Sequence, residues 1–324
     1  MKRRILLCAS LAATVAPHFS ATANEKKPIR VLTSSIAGGV PDVSTRELVR
    51  RMAIDLNTPM YVENKPGGFG AIWANEIKRS APDGLTLGTT YMAQHSVFTV
   101  ARNPAPYDAL RDCTNIGTWT EGYFLIVATA KSGYGSLKEL LNATTKVSQG
   151  INYGVTSLGS PGNLLMELLK SRTNAAMNSI FYKPGELQLA ALRGDVGVIV
   201  DGTQQLIPHI QSGQFVPLAI FAPQRISRLP NVPTLVEAGI PFSPGLSQEI
   251  WHGLVGPAGM PEPIVSRLHA SMKRICDQPD FIQWNEDAGR IVKLTSPSAM
   301  TERVRREISI WSEVISKTNI RLDS

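Results

Sequence analysis

Short apolar runs alternate with amphipathic stretches along this chain, and glycine or proline marks each change of period. Residues 28–34 (PIRVLTS) read as a strand, followed by a Gly38-Gly39 turn. Asp42 then stands where a helix N-cap is wanted. Leu48, Met52 and Leu56 recur at i, i+4 and i+8, the spacing of one helix face. The unit repeats with a strand at 60–63, a Pro66-Gly67-Gly68-Phe69-Gly70 turn, a helix from about Ala71 and a strand at 85–89. Residues 123–129 (YFLIVAT) form a nearly continuous apolar run, as expected of a strand buried on both faces. Further strands are predicted at 151–155, 179–182, 196–200 and 216–221, and Leu164, Leu165, Leu168 and Leu169 mark a helix after a Ser/Gly turn. From Pro261 the period is helical, with one stripe at Ile264, Leu268 and Ile275 and a second at Met300, Val304, Ile308, Trp311 and Ile315.

Strands alternating with helices argue for parallel α/β construction. The chain of 324 residues exceeds what one hydrophobic core usually supports, which predicts two lobes. Residues 24–124 are expected to build the first lobe and 125–244 the second. Residues 245–324 return to the first with a helical C-terminus.

The N-terminus predicts export. Lys2, Arg3 and Arg4 precede an apolar stretch from Ile5 to Ala16, and Ala21-Thr22-Ala23 supplies a small-x-small cleavage pattern. The stretch is shorter than the roughly 20 residues that span a bilayer. Residues 1–23 are therefore expected to be a signal peptide, leaving a soluble periplasmic protein from Asn24. Without its three basic residues the formal charge falls from +7 to +4. Although the pI is about 9.4, Lys and Arg are scattered, and the densest run (Arg303, Arg305, Arg306) is interleaved with helix-core positions. A mildly basic solvated surface is expected, with no nucleic-acid partner. Cys113 and Cys276 follow the leader, and their separation leaves both a disulfide and two free thiols open.

Enzyme signatures fail individually. GVTSLGSPG places Val155 where a nucleophile elbow needs its first glycine. Gly68-Phe69-Gly70 begins a dinucleotide fingerprint, but Trp73 occupies the third glycine's place. No histidine or cysteine spacing reads as a metal site, so neither catalysis nor a cofactor is expected. What stands out is three glycine-rich turns between a strand and a helix N-terminus: Ile36-Ala37-Gly38-Gly39, Gly67-Gly68-Phe69-Gly70, and Thr156-Ser157-Leu158-Gly159-Ser160. Such turns offer unpaired backbone N–H groups and a positive helix end, which bind anions without a charged side chain.

Five segments carry a family resemblance. They are PIRVLTSSIAGGVPDVSTR (28–46), VENKPGGFG (62–70), APDGLTL (81–87), LPNVPTLVEAG (229–239) and WHGLVGPAGMP (251–261). In this order and spacing the chain resembles the Bug family, periplasmic substrate-binding proteins associated with tripartite tricarboxylate transporters. The resemblance implies a type II periplasmic binding protein fold, two α/β lobes with a ligand cleft between them. It further implies capture of a small organic carboxylate by a monomer. The ligand would be held by Ser35, Ile36, Ala37, Gly38 and Gly39, by Gly67, Gly68, Phe69 and Gly70, and by Thr156, Ser157, Gly159, Ser160, Asn163 and Asp201. From position alone Asp201 reads equally as a cap for the next helix. The chain departs from the family pattern at Ser34 to Gly39, which lack its prolines and aromatic, at Asn163 in place of histidine, and at Pro184 in place of glycine. Phe69, Trp73 or Tyr91 would supply an apolar floor, which admits an aromatic acid beside a short dicarboxylate. The expected partner is a membrane permease, with a sensor-kinase ectodomain as the alternative.

Overall fold

The computed structural model describes residues 27–183, 185–241, 249–318 and 322–323. The expected leader and Pro184 lie outside the described residues. In the first part of the chain the elements are β1 (Ile29–Thr33), α1 (Val40–Asp55), β2 (Met60–Asn64), α2 (Ala71–Arg79) and β3 (Thr86–Tyr91). A π-helical turn (Ala93–Val97), α3 (Phe98–Ala101), β4 (Arg102–Asn103) and the long β5 (Cys113–Thr129) follow. The middle holds α4 (Leu137–Thr144), β6 (Ile151–Val155), α5 (Pro161–Thr173), β7 (Met177–Phe181), α6 (Leu187–Arg193), β8 (Val198–Gly202), α7 (Thr203–Gln211) and β9 (Phe215–Phe221). The chain ends with β10 (Glu249–Pro257), α8 (Glu262–Cys276), α9 (Pro279–Asp287), β11 (Ile291–Val292), α10 (Pro297–Thr318) and β12 (Leu322–Asp323). Among the described residues no helix is long and apolar enough to cross a membrane.

The strands run in the order β2-β1-β3-β10-β5-β8-β6-β7, with β9 and β11 also pairing on β5. Two parallel sets, β2-β1-β3 and β8-β6-β7, are joined through antiparallel pairings on β10 and β5. The register places the two sets. Tyr91, the last residue of β3, lies opposite His252, and His252 lies opposite Thr120 of β5. Gly202, the last residue of β8, lies opposite Phe124 of the same strand. Since β8 runs antiparallel to β5, the C-terminal edges of the two sets face each other across four residues, about 13 Å of strand at about 3.3 Å per residue. Ligands of open α/β sheets bind at strand C-terminal ends, and here two such ends meet. This is the two-lobed α/β arrangement of a periplasmic binding protein.

The apolar run at 123–129 is only the upper part of β5. Its lower part, CTNIGTWTEG, is buried although polar, because its side chains are hydrogen-bonded. Thr118 meets Lys293 O and Thr295 Oγ1, Trp119 Nε1 donates to Ser44 Oγ at 3.1 Å, and Thr120 meets His252 Nδ1. Glu121 accepts from Arg303 and pairs with Lys293. Arg303 also reaches Glu249 of β10 and Glu307 of its own helix, and Glu307 receives Trp251 Nε1 and Ser96 Oγ. Arg303 is thus a buried ion-pair residue and not one of the solvated surface cations that its basic neighbours suggested.

Both helical stripes face inward as their periods required. Met300, Val304 and Trp311 are fully buried, with Ile308 and Ile315 packed at the margin. Cys113 and Cys276 are free and buried in separate clusters, and burial pushes both thiols up to about 12.

Candidate functional site

On the first side of the cleft the chain leaves β1 at Thr33 and turns through Ser34 to Gly39 into α1. Gly39 is the N-cap of that helix, so Asp42 lies in its first turn and does not cap it as the sequence suggested. Its buried carboxylate still holds the turn. Oδ2 accepts from Gly38 N at 2.9 Å and from Arg46 Nε, and Oδ1 accepts from Asn64 Nδ2 at 2.7 Å. Burial works to raise this carboxyl, but the Arg46 guanidinium and the Gly38 and Asn64 donors outweigh it and hold it below the usual range. Asn64 Nδ2 also donates to Ser35 O, which fastens the turn to the end of β2.

The second turn is more unusual. Gly67, Gly68, Phe69 and Gly70 all have positive φ, and Phe69 sits in the left-handed region at φ 51°, ψ 35°. A bulky side chain rarely adopts that conformation, and where it does the surroundings hold it there. Here the Phe98 ring meets Phe69 edge-on at 5.2 Å, and the Arg102 guanidinium lies over the Phe69 ring. Gly70 packs against Gln94, and a Cβ on Gly70 would come within 2.8 Å of that side chain. Gln94 is fully buried on the π-helical turn, and its Oε1 accepts from Ser34 Oγ. One carboxamide therefore lies between the first and second turns. Nothing in the sequence marked it, because a π-helical turn follows neither the strand nor the helix period.

Tyr91 ends β3 half-buried beside this group. Burial raises its phenol above the ordinary value, and a hydrogen bond with Ser34 draws it partly back. Trp73, by contrast, is fully buried, donates from Nε1 to Leu32 O at 3.1 Å and packs on Tyr107. It belongs to the core and not to the cleft floor expected for it, because α2 turns that face onto the sheet.

The opposite side is built from sequence neighbours. After β6 the chain passes Thr156, Ser157, Leu158 and Gly159 to Ser160, the N-cap of α5, whose Oγ accepts from Asn163 N. Asn163 is buried, and both ends of its carboxamide are engaged. Oδ1 accepts from Gly159 N at 2.9 Å, and Nδ2 lies 3.4 Å from Tyr153 Oη. Asp201, at the end of β8, accepts from Gln188 Nε2 at 2.6 Å and from Gly202 N at 2.8 Å. Gly202, and not Asp201, is the N-cap of α7. Burial pushes the Asp201 carboxyl up to about 6 against these two donors.

The expectation that all three turns present unpaired N–H groups needs correcting residue by residue. Gly38 N donates to Asp42, Gly39 N to Ile36 O, Gly70 N to Gly67 O, Gly159 N to Asn163 and Ser160 N to Ser157 O. Those bonds close the turns. The N–H groups of Ile36, Ala37, Gly68, Phe69, Ser157 and Leu158 donate to no described residue. The uncommitted N–H groups are thus at the turn tips. Among the described residues no three His, Cys, Asp or Glu side chains are grouped to hold a metal ion.

Comparison with known proteins gives one answer. The tripartite tricarboxylate transporter family receptor model matches residues 44–320. BugT of Bordetella pertussis is 28% identical over 316 residues, spanning 96% of this chain and 95% of its own length. Among solved structures, MatC of Rhodopseudomonas palustris with bound malate is 27% identical with a TM-score of 0.77, covering 89% of this chain and 98% of that one. The periplasmic binding protein BugD is 25% identical with a TM-score of 0.78, covering 92% and 99%. The match runs along nearly the whole chain, and the chain belongs to the tripartite tricarboxylate transporter receptor family of Bug-type periplasmic binding proteins.

Proposed function

We propose that this protein captures one small organic carboxylate in the periplasm and delivers the liganded form to the membrane permease of a tripartite tricarboxylate-type transporter. The observation that carries the reading is the facing pair of strand ends. The Ser35–Gly39 and Gly67–Gly70 turns and Tyr91 stand on one side, and Thr156–Ser160 and Asp201 on the other. A carboxylate at the first side would be met by uncommitted turn-tip N–H groups, and closure of the lobes over it would remove water and strengthen those bonds. Asp201, protonated below about pH 6, would donate to a second carboxylate reaching the other side. Asn163 would contribute by shaping its turn, through the bond from Gly159 N. Malate in MatC, at 27% identity over almost its full length, favours a short dicarboxylate over an aromatic acid. The lobes would be 24–124 with 245–324, and 125–244, hinged on β5 and β10, with residues 1–23 removed on export.

A thermal-shift screen against short dicarboxylates, aromatic acids and amino acids tests the reading. A ligand at 100 times its Kd should stabilise the fold by about 2.7 kcal/mol. A response confined to carboxylates supports it. No response to any acid, in folded protein freed of carried-over ligand, overturns it.

A further inference from the structure

Gln94 touches both glycine turns of the first side. It is fully buried, its Oε1 receives the Ser34 hydroxyl and its Nε2 lies against Gly70. That Nε2 has no hydrogen-bond partner. A buried amide donor without an acceptor is unfavourable, and this one lies beside the glycine turns of the cleft. Nor is the amide needed only as a spacer, since an apolar side chain of similar length would fill the same place without stranding a donor. Against Nε2 lies Gly70, the last residue of the Gly67–Gly70 turn, whose four residues are all at positive φ, three of them glycine. Glycine backbone has the conformational range to shift without side-chain cost.

We propose that Gln94 is a specificity residue of the cleft, whose uncommitted N–H is taken up by an acceptor oxygen of the bound ligand, or of a water that the ligand holds, as the Gly67–Gly70 turn adjusts. The proposal rests on the carboxylate-capture reading and deepens it. A neutral donor at this position selects a group that only accepts hydrogen bonds, an ionised carboxylate, and rejects an ammonium group. Because Ser34 shares the same carboxamide, the first and second turns respond to the ligand as one unit.

Two variants separate this role from simple packing, each measured by isothermal titration against malate, succinate, adipate and benzoate, with melting of the ligand-free protein alongside. Gln94→Glu keeps the acceptor for Ser34 and replaces the donor by a second acceptor. Its affinity for the strongest-binding acid should fall at least tenfold relative to wild type at pH 8. The deficit should narrow toward pH 5, as the introduced carboxyl takes up a proton and becomes a donor. Gln94→Met removes the stranded donor and the Ser34 bond together, two changes of opposite sign, so the ligand-free fold should melt close to wild type while affinity still falls about tenfold. Affinity within twofold of wild type in both variants, with wild type binding normally, overturns the role of Gln94 alone. A Gln94→Met protein that melts well below wild type also overturns it, by showing a packing bracket. Wild type that binds none of the acids overturns the carboxylate reading and this proposal with it.

Discussion

On the first side of the cleft, the turn after β1 is fastened by Asp42, Asn64 and Gln94, which come from α1, β2 and the π-helical turn. On the second side, the turn after β6 is fastened by Ser160 and Asn163, three and six residues beyond Ser157. Both arrangements present turn-tip N–H groups, but the first needs three elements to have docked, while the second forms with a single helix N-terminus. The second side is therefore a local structure, stable as soon as α5 is. The first side is a tertiary structure, sensitive to anything that moves α1, β2 or the turn after β3. The carboxylates differ likewise. Asp42 is held ionised by an Arg46 guanidinium and two neutral donors, whereas Asp201 meets neutral donors only and is pushed up to about 6.

This contrast predicts unequal damage. Asp42→Ala should have the largest effect, because it leaves Gly38 N–H and an Asn64 N–H without their acceptor and breaks the Arg46 ion pair. We expect a loss of about 3 kcal/mol by urea denaturation, accompanied by weaker ligand binding. A loss below about 1 kcal/mol would show that the first turn holds without its tertiary clamp. Asn163→Ala should cost about 1–2 kcal/mol, since it frees only Gly159 N–H and the Tyr153 contact. Combined with Ser160→Ala, itself worth about 1 kcal/mol as a cap, it should be non-additive, the two residues bracing one turn. Additivity in that cycle would mean that the second side is less self-contained than its hydrogen bonds indicate.

The pH dependence has a definite sign. Asp201 has a folded pKa raised from the ordinary aspartate value near 3.8 to about 6. Its contribution to stability is therefore fully present below the unfolded value and is lost as pH rises through about 6. Affinity for a dicarboxylate should weaken over the same interval, as the neutral donor becomes a like charge. Titrations at pH 5 and 7.5 should show the drop, and Asp201→Asn should flatten it. An unchanged wild-type affinity across that interval would place the ligand away from Asp201. The smallest effect is expected at Phe69. Phe69→Gly relieves the left-handed backbone but gives up the Phe98 and Arg102 contacts, terms of about 1 kcal/mol each that oppose one another. Its stability should stay within about 1 kcal/mol of wild type.

Much of this protein was legible before any coordinates. Strand and helix periods located β1, α1, β6, α5 and α10, because each buries one regularly spaced set of apolar residues. Glycine punctuation located all three turns, because positive φ and close backbone approach demand that residue. The lower half of β5 was not legible. Thr118, Thr120 and Glu121 look like surface residues until Thr295, His252 and Arg303 arrive as partners from more than 130 positions away. Trp73 and Arg303 were misplaced for the same reason, since burial depends on what packs against a face and not on the face itself. The sequence by itself determined where the chain turns and which helix faces are apolar, since backbone sterics and hydrophobic periodicity are local. Only the tertiary structure decided which turn N–H groups are consumed, that Gln94 lies between two turns, and that two sets of strand ends oppose each other across β5. Hydrogen-bond partners and strand register are properties of residues brought together from distant positions, and no local pattern encodes them.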